Sequence, residues 1–248
     1  MIRPLAQRPP ALPALVWVYA ALLLVWGNAQ SVLLEPTATL PGGSWAYGLA
    51  GAALGAVSLA TARAIGLDAV TMGLRGSAAR GTAIGALAGL VTSVAGVAAL
   101  RLAAPAIVGE PIDYEPLATV SATALLWHVA VLMPLGVAIP EEMAFRGVLL
   151  GALARQHGTR TAIAASAAAF AAWHGSILLS AIADTTLAAT SPWVPIATVN
   201  ALAVLAAGGA IFAWLRLATG SLAATVAAHW TFNVVVLVGL WATRPGCC

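Results

Sequence analysis

Two adjacent glutamates, Glu141 and Glu142, precede Arg146 within a long apolar stretch, in the run Pro140-Glu141-Glu142-Met143-Ala144-Phe145-Arg146. Ionisable side chains at bilayer depth cost about 2.5–3.5 kcal/mol each on insertion scales, so their presence needs a reason. On a helix Glu142 and Arg146 share a face and can neutralise each other, while Glu141 projects about 100° away. That leaves the Glu141 carboxylate free to meet a small water-filled cavity and act as a base. Two more polar groups interrupt apolar stretches. Phe170-Ala171-Ala172-Trp173-His174 places a histidine in one, and His229-Trp230-Thr231-Phe232-Asn233 places His229 and Asn233 four residues apart on one face of another. A lone intramembrane histidine is commonly a hydrogen-bonded packing residue, and a lone asparagine commonly joins helices. Taken together the three groups are more specific. A bundle that turns these faces inward gathers Glu141, His174, His229 and Asn233 around one site.

The elements that must position them are set by composition. The 248 residues are 61% hydrophobic and 8% charged, with mean hydropathy +0.96, which excludes a soluble domain. Seven stretches carry no Asp, Glu or Arg: 9–34, 36–62, 81–100, 116–140, 161–183, 185–215 and 217–243. A crossing needs about 20 apolar residues, and each stretch suffices. The runs are continuous rather than alternating, so an outer-membrane barrel is excluded. The expectation is all-α: a polytopic transmembrane helical bundle of seven to eight spans. It forms a single membrane domain over 1–248, with N-terminal spans of unassigned role at 1–115 and the polar groups at 116–241. Ala118–Gln156 is too long for one simple crossing and contains Pro134 and Pro140. A single crossing with a Pro-broken or partly re-entrant helix is expected there, and two crossings would give the eighth span.

Charge sets the topology. Arg3, Arg8, Arg63, Arg75, Arg80, Arg155, Arg160 and Arg216 fall on one side of the alternating spans, opposite Glu35, Glu110, Asp113, Glu115 and Asp184. Only Arg101 and Arg244 join the acidic side. The positive-inside rule then predicts a cytoplasmic N-terminus for a multi-pass protein of the cell membrane, with the first span an uncleaved signal anchor. The pI near 9.4 does not indicate a nucleic-acid partner, because the arginines are scattered over short loops and form no basic stripe. Cys247 and Cys248 end the chain and provide neither a disulfide framework nor a four-residue prenylation signal. Phe170 and Trp173 read as cavity walls, His128, Thr198 and Asn200 as core hydrogen-bonding groups, and His157 as a turn residue facing water.

The three motifs in this order, Glu-Glu-x-x-x-Arg, Phe-x-x-x-His and His-x-x-x-Asn, resemble those of the CAAX protease and bacteriocin-processing family of intramembrane proteases, the Rce-like or Abi group. The resemblance covers about Leu117 to Trp241. It implies a membrane-embedded endopeptidase in which Glu141 activates water with help from His174. His229 and Asn233 then stabilise the tetrahedral oxyanion, and Glu142 and Arg146 support the site. The implied substrate is a peptide or membrane protein, such as a leader peptide or bacteriocin precursor.

The same side chains admit a zinc reading, with Glu141, His174 and His229 as a two-His, one-carboxylate set. No His-Glu-x-x-His run is present and Asn is an unusual zinc ligand, so a metal-free glutamate mechanism with no cofactor is favoured. Two other classes share the residues: a non-enzymatic immunity factor or scaffold, and a proton-coupled transporter. The transporter calls for an inverted internal repeat that the hydropathy pattern does not show.

Overall fold

The computed structural model describes residues 13–34, 45–109, 111–187 and 191–244; Arg3, Arg8, Glu35, Glu110, Cys247 and Cys248 lie outside the described residues. The chain is all-helical. Its elements are α1 (Pro13–Leu34), α2 (Trp45–Ala64), α3 (Ala78–Val108), α4 (Ala122–Trp173), α5 (Gly175–Ala183), α6 (Trp193–Thr219) and α7 (Leu222–Ala242). Local chemistry sets several of the ends. The Ser77 and Ser121 hydroxyls accept from the Arg80 and Ala124 amides at the starts of α3 and α4. Gly109 and Gly220 close α3 and α6 in the left-handed conformation that glycine tolerates best.

Six of these helices are long and apolar enough to cross a membrane, one fewer than the seven apolar runs, because 116–140 and most of 161–183 fall within the 52-residue α4. α4 is not straight. Gly158 interrupts it with φ 79° and ψ 170°. On one continuous helix Phe145 and Phe170 would lie ~37 Å apart; their ring centroids are 5.2 Å apart, and Ser166 Oγ donates to Phe145 O at 3.2 Å. The chain therefore doubles back at Gly158, and two antiparallel arms (122–157 and 159–173) lie side by side.

The first arm is not broken at its prolines, contrary to one of the two expectations for Ala118–Gln156. Proline removes an amide donor and clashes within an ordinary α-turn. Here π-helical stretches at His128–Leu132, Pro134–Ala138 and Met143–Leu149 bracket Pro134 and Pro140, and the backbone stays helical through both. Such wide turns recur at functional sites, and the glutamates sit between two of them.

Absent side chains set the interhelical distances. On α3, Gly81, Gly85, Gly89 and Ser93 form a buried stripe with a spacing of four. A Cβ at Gly85 would stand 1.9 Å from Ala224 O, and one at Gly89 would stand 2.4 Å from Ala228 O, so α3 and α7 meet backbone to backbone. Gly51 of α2 likewise abuts the Gly136 carbonyl, and Gly55 reaches Met143. α7 is thus fixed by α3, and the glutamate turn is backed by α2.

At the end of the bundle away from Gly158, Tyr114 and Thr185 form an isolated antiparallel bridge. Glu115 N donates to Asp184 O and Thr186 N to Asp113 O. Arg101, an exception to the charge asymmetry, pairs with Asp113 at 2.6 Å and donates to the Ile112 and Leu240 carbonyls. Its charge is answered locally. The α3–α7 packing yields a test: Gly85→Ala should lower stability by about 1–3 kcal/mol, the usual cost of overpacking. Gly96→Ala on the same helix, with nothing within 4 Å of its Cβ, should not. Thermal unfolding in detergent compares the two, and equal midpoints would contradict the close contact.

Candidate active site

Glu141 lies 17 residues before the Gly158 turn and His174 lies 16 after it, so the hairpin brings both to one level. Glu141 Oε2 stands 3.7 Å from His174 Nε2. That is too long for a direct hydrogen bond, and it is a separation that a shared water can bridge. His174 Nδ1 lies 2.8 Å from Phe170 O. A carbonyl only accepts, so Nδ1 carries the proton and the neutral ring turns its Nε2 lone pair towards Glu141. Among the described residues Glu141 Oε2 has no hydrogen-bond partner, and the Trp173 side chain lies alongside the carboxylate.

The neighbouring glutamate has a different environment. Glu142 Oε1 accepts from Arg146 Nη1 at 3.0 Å and from His229 Nδ1 at 2.9 Å. A second guanidinium nitrogen of Arg146 reaches the Gly209 carbonyl of α6 at 3.5 Å. The face of the guanidinium lies over the Phe170 ring, with Cζ 4.0 Å from the centroid. Phe170 also meets Phe145, His174 and His229 edge-on or nearly so, at centroid distances of 5.2, 4.4 and 5.9 Å. It is the common wall of both glutamate environments. Phe212 of α6 packs against His229 from another side, with centroids 5.9 Å apart.

Exposure is graded through the cluster. The Glu142 and Arg146 side chains are wholly buried, Glu141 is 3% exposed and His174 is 18% exposed. His174 is the most exposed of them, and His229, at 6%, is slightly more exposed than Glu141. Asn233 stands one turn beyond His229 on α7, partly buried, and no hydrogen bond or ion pair links it to Glu141, His174 or His229. By direct contact the structure joins Glu141 to His174 and Glu142 to Arg146 and His229, and Asn233 is related to them only through its helix face.

The zinc reading needs Glu141, His174 and His229 side by side. His229 turns Nδ1 to Glu142 rather than Glu141, and no three His, Cys, Asp or Glu side chains among the described residues are grouped to hold a metal. Of the other polar span residues, Thr198 donates to Val194 O within its own helix, and Asn200 is exposed. His128 departs from its expected role: it is buried, but among the described residues neither ring nitrogen has a hydrogen-bond partner. His157 is exposed beside the Gly158 turn, with its ring 5.8 Å from that of Trp17.

Sequence reasoning missed three contributors to this site. Gly209 and Phe212 of α6 left no signal, because a carbonyl and one more aromatic in an apolar span are unremarkable. Asn28 of α1 did leave one, as an amide inside a hydrophobic run, and its side chain reaches the backbone next to His174.

Residues 123–235 match the family model described as type II CAAX prenyl endopeptidase Rce1-like. Neither a curated protein nor a solved structure matches the chain. The matched segment begins at the start of α4 and ends within α7, and it contains Glu141, Glu142, Arg146, His174, His229 and Asn233. The buried charge group provides a test that does not depend on activity. Arg146→Leu leaves Glu142 buried without its main counter-charge and should cost about 3–5 kcal/mol. Glu142→Leu combined with Arg146→Leu should recover part of that loss. Unfolding midpoints in detergent read both, and an Arg146→Leu protein as stable as the parent would refute the structural importance of the pair.

Proposed function

We propose, from the match of residues 123–235 to the Rce1-like family model, that this multi-pass membrane protein is an endopeptidase that hydrolyses a peptide bond with a glutamate-activated water. The observation that carries the proposal is the pairing of an unpartnered Glu141 Oε2 with the lone-pair side of His174, 3.7 Å apart.

A water held between them directs one hydrogen to Glu141 and the other to His174 Nε2, which turns an oxygen lone pair towards an incoming carbonyl carbon. Glu141 removes the proton as the C–O bond forms, and the same proton is later available to the departing amine. The carboxylate is only 3% exposed, which keeps it from being levelled by bulk solvent. The negative charge that develops on the carbonyl oxygen needs donors already in place. The proposed donors are the Asn233 amide and His229 in its doubly protonated form, with Nδ1–H on Glu142 and Nε2–H on the oxyanion. Glu142 and Arg146 act through His229 as supports. The proposed steps are written without a metal. The charge asymmetry supports a cytoplasmic N-terminus in the cell membrane.

The proposed substrate is a peptide or a membrane-associated protein, the class that the protease family of the matched segment implies. The test uses purified protein in liposomes and an internally quenched peptide ending in a farnesylated Cys-aliphatic-aliphatic sequence. Glu141→Gln and His174→Ala should each reduce cleavage by about 10²–10⁴-fold while the unfolding midpoint holds. Undiminished cleavage by both variants would remove the proposal. Incubation with 1,10-phenanthroline should leave the rate unchanged, and a loss that added zinc restores would replace the metal-free mechanism with a metal-assisted one.

A further inference from the structure

His174 occupies a break in the helix. It has φ −87° and ψ 7°, between the end of α4 at Trp173 and the start of α5 at Gly175. A break of this kind leaves carbonyls unpaired on the side that ends and amides unpaired on the side that begins. In water these groups are solvated. Within an apolar bundle each one left alone costs several kcal/mol, so a partner has to come from elsewhere. No side chain at the start of α5 caps it.

The partner comes from α1, outside the segment that carries the family match. Asn28 Oδ1 accepts from the Ser176 backbone N–H at 2.8 Å and from the Ser176 hydroxyl at 2.9 Å. Its Nδ2 donates to Ala172 O at 3.0 Å, and to Leu24 O of its own helix at 2.8 Å, which fixes the amide plane. One carboxamide thus serves an orphan acceptor on one side of His174 and an orphan donor on the other. The adjacent residue is matched to the same place: a Cβ on Gly27 would stand 2.3 Å from the Trp173 indole. The pair Gly27-Asn28 is shaped to the turn Trp173-His174-Gly175-Ser176.

We infer that Asn28 is a positioning residue for His174, capping the helix break from a separate span and thereby fixing where the imidazole stands relative to Glu141. This rests on the proposed role of His174 in hydrolysis. It assigns a task to α1, which the motifs leave without one. Asn28 does not touch the reacting atoms; it acts through the backbone on both sides of the histidine.

The experiment compares Asn28→Leu, an apolar side chain of similar shape suited to a span, with Asn28→Asp, which keeps the acceptor for Ser176. Tyr19→Phe removes a different α1 hydrogen bond, the 2.7 Å contact to Ser58, and serves as the control for general loosening of α1. In liposomes with the farnesylated quenched peptide, Asn28→Leu should lower kcat by roughly 10²-fold with KM within twofold, as expected for a misplaced group. Asn28→Asp should recover part of that loss, and Tyr19→Phe should leave kcat unchanged. In detergent, the ring resonances of His174 in histidine-labelled protein should shift in Asn28→Leu and stay in place in Tyr19→Phe. Unmoved His174 resonances in Asn28→Leu would overturn the inference, whether or not the protein cleaves the peptide. A parent protein with no peptidase activity but a shifted His174 signal would instead sink the hydrolytic reading and leave the positioning intact. Should Asn28→Leu fail to fold, Ser176→Ala removes one of the four hydrogen bonds alone and must still move the His174 signal.

Discussion

Arg146 carries a positive charge in a place where its side chain has no exposure, and the groups that answer that charge come from both arms of α4, from α6 and, through Glu142, from α7. Glu142 lies one turn earlier on the same arm of α4. The Phe170 ring comes from the opposite arm, the Gly209 carbonyl from α6, and His229 from α7 through the shared Glu142 oxygen. An uncompensated guanidinium at this depth would cost more than most single contacts in a bundle can return. Its satisfaction therefore requires the hairpin to be closed and α6 and α7 to be docked. The same requirement fixes the ring of His229, because the Nδ1–H that completes the Glu142 environment leaves only Nε2 for any other partner.

The remaining spans act on this centre by being thin where they touch it. α3 approaches α7 through its Gly81-Gly85-Gly89 stripe, and α2 approaches the glutamate turn through Gly51 and Gly55. α1 receives the Trp173 indole at Gly27. Lipid is as apolar as the side chains it contacts, so no hydrophobic force gathers these helices, and close backbone approach and scarce hydrogen bonds do so instead. The N-terminal half of the chain is thus a mould for the half that carries the ionisable groups. The family match begins only after the mould, at residue 123.

What the sequence reveals divides along the range of the interaction. The Glu142–Arg146 pair is local, four residues apart, and its spacing alone implies it. The helical class is equally plain, because hydropathy needs no tertiary knowledge. The turn at Gly158 is half legible: Arg155, Arg160 and His157 mark a loop, but only coordinates show one apolar unit folding back so that Phe145 meets Phe170. The contact between His229 and Glu142 spans 87 residues and has no local signal. The smooth passage of α4 through Pro134 and Pro140 was also hidden, since proline spacing predicts a break unless the helix widens. His128 shows the limit from the other side. A buried imidazole in a span suggests a hydrogen bond, and among the described residues the structure gives it none.

The two adjacent glutamates show why sequence neighbours need not share a task. Consecutive positions on a helix diverge by about 100°, so Glu141 and Glu142 face different neighbours although their backbones touch. Glu142 Oε1 accepts from a guanidinium and an imidazole N–H and the side chain is shut off from solvent, although its Oε2, like that of Glu141, has no hydrogen-bond partner among the described residues. Glu141 faces the lone-pair side of His174, with one oxygen unpaired, beside the most exposed member of the cluster. A carboxylate spends its capacity on donors it already has, so the one with fewer donors is the one able to accept a proton from something new. The separation of the two roles therefore depends on Arg146 staying with Glu142. Were the guanidinium to turn towards Glu141, both carboxylates would become partly satisfied and neither would be left to act as the base.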